Sequence, residues 1–255
     1  MSERTIGPRI LTVIPARYAS TRFPGKIIAP LGGKPLVAHT YARAMKAKLA
    51  GETLVAADDM KVRDALTPLG IPVLMTSPEH PSGTDRIAEV AAGRDVDIVV
   101  NVQGDEPLID PNTIDAAIRP LLERPEVMMS TVRCLLTNPE EIANPNVVKV
   151  VCDMRGDALY FSRHPIPYIR DAADRAGAPR CHWQHIGLYV YRRDFLLQYA
   201  KMPQTPLDKL EKLEQLRVLE NGFKIAVVET GYKSLGVDTP EDLERVRVLL
   251  ETTPC

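Results

Sequence analysis

Short apolar runs alternate with amphipathic stretches through the first half of the chain. Ile10–Pro15 reads as a buried strand, Pro35–Leu49 as an amphipathic helix with proline in its first turn, and Thr53–Ala57 as a strand. The pattern continues with helix over Asp59–Leu69, strand over Ile71–Leu74, helix over Asp85–Ala92, strand over Asp97–Val102 and helix over Pro111–Glu123. Such alternation predicts an α/β fold, a mostly parallel sheet flanked by helices.

The rhythm changes after Glu126. Val127–Leu135, Val147–Cys152 and Ala158–Ser162 are strand-like and joined by turns such as Arg155-Gly156-Asp157, which suits antiparallel additions to the sheet. The proline-bearing polar stretch from Arg163 to His182 reads as an arm or loop that packs on something else, and His185–Tyr191 as another strand. Leu207–Glu220 reads as one helix ended by Asn221-Gly222, Lys224–Glu229 as a strand, and Pro240–Leu250 as a helix with Asp238 or Thr239 as N-cap. The expectation is one domain over residues 1–255, with a small insertion around 155–215.

Composition changes this picture little, but charge distribution does. A chain of 255 residues with 45% hydrophobic and 25% charged residues and a net charge of −1 reads as an ordinary globular enzyme, not a nucleic-acid or membrane-surface protein. Between Glu3 and Glu52 there is no acid, while Arg4, Arg9, Arg17, Arg22, Lys26, Lys34, Arg43, Lys46 and Lys48 are all basic. A locally positive entrance on a nearly neutral chain suits a small anionic substrate. Cys134, Cys152, Cys181 and Cys255 have no metal-finger spacing and read as free thiols. With no signal-like or membrane-length apolar run, the chain is expected to be cytoplasmic, without membrane insertion.

Three cations, Arg17, Arg22 and Lys26, sit on the irregular loop that leaves the first strand. Ligands of open α/β sheets bind at the C-terminal strand ends, so this loop points into the expected site. Two guanidiniums and an ammonium there suit a triphosphate and the charge that builds as one phosphate is displaced. The loop has neither a G-x-G-x-x-G run nor P-loop spacing, so side-chain cations must bind the phosphates. The alternative is a solvated basic loop.

Asn101-Val102-Gln103-Gly104-Asp105-Glu106-Pro107 lies at the same sheet edge, and Asp105 offers a carboxylate of the kind that holds Mg²⁺. Its alternative is a turn whose acids cap the next helix. Asp238, just ahead of Pro240, reads by itself as an N-cap. Ser82-Gly83-Thr84-Asp85-Arg86 reads either as a helix cap or as a tight turn gripping a nucleobase or ribose, with Arg86 nearby. His182 and His185 face opposite ways on a strand, which leaves His185 as a polar substrate contact rather than a metal ligand. Glu214-Gln215 reads as the solvated face of its helix.

The Pro15–Lys26 loop closely resembles the signature of the sugar nucleotidyltransferases. Further matches at Ser82–Arg86, Asn101–Pro107, Asn144–Asn146 with Val148–Val151, Tyr160–Arg163, Leu213–Arg217 and Gly236–Glu241 extend the resemblance from Ile10 to Leu250. They point to the members that activate the sugar acid 3-deoxy-manno-octulosonate (Kdo) with CTP. The resemblance implies a Rossmann-like fold, a homodimer formed partly through the insertion, Mg²⁺ dependence and a role in lipopolysaccharide synthesis. It also implies that Arg17, Arg22 and Lys26 face the triphosphate, with Asp105 and Asp238 on magnesium and Ser82, Gly83, Thr84, Arg86 and Gln103 near the nucleotide. Arg163, His185, Tyr189, Glu214 and Gln215 would line the sugar pocket, Arg163 gripping the carboxylate. Phe23 in place of the more usual Leu, and Asp85 where Glu is frequent, bear on fine specificity. The rivals are activation of 8-amino-Kdo or sialic acid, and a silent nucleotide-binding regulator.

Overall fold

The computed structural model describes residues 7–20, 22–171, 181–233 and 235–252. Strand β1 (Ile10–Ala16) is buried from Leu11 onward, and its side chains alternate between two apolar layers. Ile14 and Ala16 enter one layer, Leu11 and Val13 the other. Burial on both faces is what makes such a strand read as a continuous apolar run. The same alternation runs through β4 (Glu52–Ala57) and β6 (Ile98–Asn101).

The chain forms a mixed, mostly parallel sheet covered by helices. Between β1 and β4 a small hairpin pairs β2 (Pro30–Leu31) with β3 (Lys34–Pro35). Strand order in the main sheet is β11-β7-β10-β6-β1-β4-β5, where β5 is Val73–Met75, β7 Met129–Leu135, β10 Trp183–Arg192 and β11 Ile225–Glu229. β1, β4, β5 and β6 run parallel, β10 runs antiparallel to both β6 and β7, and β11 is parallel to β7. A hairpin of β8 (Lys149–Cys152) and β9 (Ala158–Ser162) joins through β8 to β10.

Helices α1 (Leu36–Ala44), α2 (Met60–Leu66) and α4 (Pro111–Glu123) bury apolar residues in one layer. α3 (Gly83–Ala92) fills the other. A short α5 (Pro139–Ala143) and α6 (Arg193–Tyr199) follow, neither of them anticipated from the sequence pattern. The long helix expected over Leu207–Glu220 is instead two, α7 (Pro206–Glu211) and α8 (Leu216–Glu220). They are separated by Lys212, whose backbone is left-handed (φ 54, ψ 46). α9 spans Pro240–Thr252. β10 lies within the stretch expected to be an insertion, yet it occupies the middle of the sheet. Among the described residues, no helix is long and apolar enough to cross a membrane.

Candidate active site

β1 delivers the chain to the C-terminal edge of the sheet, where Arg17 begins the cationic loop. The loop closes on itself. Gly25 donates its amide to Tyr18 O at 3.2 Å, and its positive φ of 71° lets the turn reverse without a side-chain clash. Lys26 then opens a single helical turn anchored by buried Ile27. Its Nζ donates to Asp105 Oδ2 at 2.7 Å, Asp238 Oδ1 at 2.9 Å and Val237 O at 2.9 Å. Arg22 stands 3.0 Å from the same Asp238 oxygen. Burial pushes the Lys26 ammonium toward neutrality, but the charge and hydrogen bonds of Asp105 and Asp238 outweigh it, and its pKa is raised. Burial likewise opposes the Asp238 charge, yet Lys26 and Arg22 together hold that carboxyl below its ordinary value.

Asp105 follows β6 on a tight turn. A Cβ on Gly104 would lie 2.8 Å from Pro15 O and 2.7 Å from the Ile27 side chain, so only glycine lets the two loops approach this closely. Thr40 donates to Gly104 O, and Val237 donates its amide to Asp105 O, each at 2.9 Å, bringing the C-terminal segment onto the same edge. The helix-capping alternatives fail for both carboxylates. Asp110 caps α4, and Thr239, paired with Asp242, caps α9. Asp105 and Asp238 are thereby left to face a cleft of about 240 Å³, whose walls also include Arg17, Arg22, Lys26, Gly83 and Gln103.

A second pocket of about 320 Å³ is lined by His185, Tyr189, Glu214 and Gln215, with Gln184, Gly187 and Lys212. Gln103, in the wall of the first cavity, packs its side chain 3.6 Å from the Cβ position of Gly187, in the wall of the second. Burial pushes the His185 imidazole down to about 3, so it is neutral, and its Nε2 shares a 2.9 Å hydrogen bond with Thr131. Tyr189 donates its hydroxyl to Gln215 Oε1 at 3.4 Å, while Gln215 Nε2 is buried without a protein partner. Glu214 and Gln215 are not a solvated face. The bend at Lys212 turns them inward, and burial raises the Glu214 carboxyl more than the Thr84 hydrogen bond and the Arg217 charge lower it.

Four residues expected to touch ligand are engaged elsewhere. Arg163 lines neither pocket. Its Nε donates to Glu211 O at 2.6 Å, Nη1 to Pro145 O at 3.0 Å and Nη2 to Lys212 O at 3.3 Å, so the guanidinium braces the bend. Arg86 is fully buried and bonds Thr76, Ser77 O and Asp58. Ser82 caps α3 by accepting the Asp85 amide, and with Asp85 it borders a third cavity of about 670 Å³, which shares Lys212 and Glu214 with the second pocket. Thr84 turns its hydroxyl to Glu214. Sequence reasoning missed Asp58, although it directly follows β4 at the C-terminal edge of the sheet. Lys149, within the Val148–Val151 match, buries its ammonium, which donates to Asn144 O, Val147 O and Arg163 O.

No group of three or more His, Cys, Asp or Glu side chains is gathered for a metal among the described residues. Asp105 and Asp238 converge on the Lys26 ammonium beside the open cleft, and two carboxylates so placed are the kind of oxygen donors that Mg²⁺ takes. Cys134, Cys152 and Cys181 are free thiols, and Cys255 lies outside the described residues.

Residues 11–225 match the family model described as cytidylyltransferase. The 3-deoxy-manno-octulosonate cytidylyltransferase of Solibacter usitatus is 54% identical over 245 residues, covering 96% of this chain and 96% of the relative. Its counterpart in Geobacter metallireducens is 56% identical over 245 residues, covering 93% and 96%. A solved CMP:2-keto-3-deoxy-manno-octonic acid synthetase complexed with CTP superposes with a TM-score of 0.90 at 40% identity, covering 96% of this chain and 99% of the other. A glucose-1-phosphate thymidylyltransferase structure from Bacillus anthracis shares the fold at a TM-score of 0.65 and 13% identity, covering 96% and 97%.

Proposed function

The chain belongs to the cytidylyltransferase family, and on that footing we infer that it joins CTP and Kdo into CMP-Kdo and diphosphate. One observation carries the reading at the level of residues. Three cations and two carboxylates converge in a cleft whose Gln103 packs against Gly187 of a second pocket, lined mostly by uncharged groups. A triphosphate suits the first cavity and a polyhydroxylated sugar acid the second.

In the reaction the anomeric hydroxyl oxygen of Kdo forms a bond to the α-phosphorus of CTP. The bond from that phosphorus to the oxygen bridging to the β-phosphorus breaks, its electron pair leaves with diphosphate, and the hydroxyl proton passes to solvent. Such transfer depends mainly on positioning and on stabilising charge. Arg17, Arg22 and Lys26 offer their charge to the phosphates and to the departing diphosphate. Asp105 and Asp238 would hold Mg²⁺, which when bound supplies further neutralisation of phosphate oxygens. Gln215 Nε2 is a buried donor available to a sugar oxygen. Neutral His185 and the Tyr189 hydroxyl add groups that bond hydroxyls without demanding a charge on the sugar.

The reaction belongs in the cytoplasm and feeds lipopolysaccharide synthesis. A homodimer is the proposed assembly, supported by Leu159, Tyr168 and Leu210, apolar residues exposed by 62%, 79% and 79%. A monomer mass by light scattering would overturn that assembly. The test of the reaction is diphosphate release from CTP and Mg²⁺ with Kdo, 8-amino-Kdo, sialic acid or no sugar. Release with Kdo alone supports the reading. Release with another acid instead moves the specificity, and CTP binding without release under any condition replaces the enzyme with a nucleotide-binding regulator.

A further inference from the structure

We propose that Asp58 is a positioning residue that ties the cationic loop to the end of β4 and so presets Arg17, Arg22 and Lys26 for the phosphates. The inference rests on the reaction proposed above. The Asp58 carboxylate is only 9% exposed and has a separate task for each oxygen. Oδ1 accepts the backbone amide of Tyr18 at 2.9 Å, and Oδ2 accepts from Arg86 Nη2 at 3.1 Å with Arg17 Nε 3.9 Å away.

Arg86 in turn is fully buried on α3, where Thr76 and Ser77 O take its other terminal nitrogen. A buried guanidinium fixed at three points cannot swing, so the carboxylate it holds is a fixed post. The tether is placed where it governs the whole loop. Tyr18 O accepts the Gly25 amide, the Tyr18 ring packs 3.4 Å from the Gly25 Cβ position, and Lys61 Nζ sits 4.5 Å from the ring centroid. Tyr18 and Gly25 are thus held together, with Arg17 and Lys26 on either side of the contact and Arg22 between them in sequence. An acid-free run of cations repels itself, and a loop held in one geometry avoids the ordering cost that a free loop meets on binding.

Asp58 could instead serve only to neutralise buried Arg86, and two variants separate the roles. Asp58→Ala removes both tasks. Asp58→Asn keeps an oxygen for the Tyr18 amide but gives up the charge beside Arg86. Under the proposal D58A raises KM for CTP on the order of tenfold with kcat changed by no more than about threefold, as expected for one lost preorganising hydrogen bond. D58N returns KM to within about twofold of the parent although both variants melt at lower temperature, because both leave Arg86 without its anion. An unchanged KM in D58A, or a KM in D58N raised as far as in D58A, overturns the proposal. Hydrogen exchange at the Tyr18 amide in the unaltered protein, without CTP, is the second measurement. Protection well beyond that of Ala19 and Ser20 supports the tether, and exchange at their rate overturns it. That measurement needs no substrate, so it judges the tether even where the proposed reaction fails.

Discussion

Thr84 donates its hydroxyl hydrogen to Glu214 Oε1 at 2.6 Å, joining the first turn of α3 to the bend between α7 and α8. The two residues stand 130 positions apart, and their contact holds Glu214 in the wall of the pocket that it shares with His185 and Gln215. It also gives the Glu214 carboxyl a partner in a place where burial disfavours its charge.

That burial has a pH signature. The folded chain holds the Glu214 proton more tightly than the unfolded chain, whose carboxyl has the ordinary value of 4.5. Stability contributed by the group is therefore full below that value and is lost as pH rises toward the folded pKa. Glu214→Gln removes the loss. Its melting temperature should gain on that of the parent as pH is raised from about 4 to about 8. A difference constant across that range would show that Glu214 titrates normally.

Asp105→Asn keeps the shape of the turn and removes one of the two carboxylates beside Lys26. Turnover should fall at least about a thousandfold while circular dichroism and melting stay close to the parent. Turnover near the parent value would remove Asp105 from the chemistry.

Gly104→Ala should cost about 1–3 kcal/mol in denaturant unfolding, because the new methyl meets a backbone carbonyl that has no room to retreat. A midpoint equal to the parent's would show that β1 and the turn can move apart.

Lys212 adopts a left-handed backbone conformation without the freedom of glycine. Lys212→Gly should raise stability by about 1 kcal/mol, and Lys212→Val should lower it, since a β-branched side chain tolerates that region least. Opposite signs in the two unfolding midpoints are the check.

Much of this architecture is legible in local sequence. The apolar runs of β1, β4 and β6 each end at the C-terminal edge of the sheet, so the sequence pattern alone places Arg17, Lys26 and Asp105 together. The helix over Pro111–Glu123 matches residue for residue. The bend at Lys212 was harder to see, though it left a trace. Leucines at 207, 210, 213, 216 and 219 recur every third residue, and that spacing drifts by about 60° per step around a helix, so one straight helix cannot keep them on one face. Leu210 is 79% exposed while Leu216 is fully buried, which is where the drift resolves into two helices. The surroundings of Arg163 and Arg86 are illegible locally for another reason. Their partners lie as far as 49 and 28 residues away, and nothing local distinguishes a guanidinium that meets a ligand from one that meets its own backbone.

Lys26 and Asp238 lie 212 positions apart, so the two halves of their contact leave the ribosome at widely separated moments. The ribosome delivers the cationic loop early, with no acid of its own to answer its charge. The carboxylate at 238 emerges after the last strand of the sheet. A chain that stalls or is cut before that point can complete every strand of the sheet and still lack half of the acidic pair. The ion pair of Lys26 with Asp238 thus forms only after every strand of the sheet has been made.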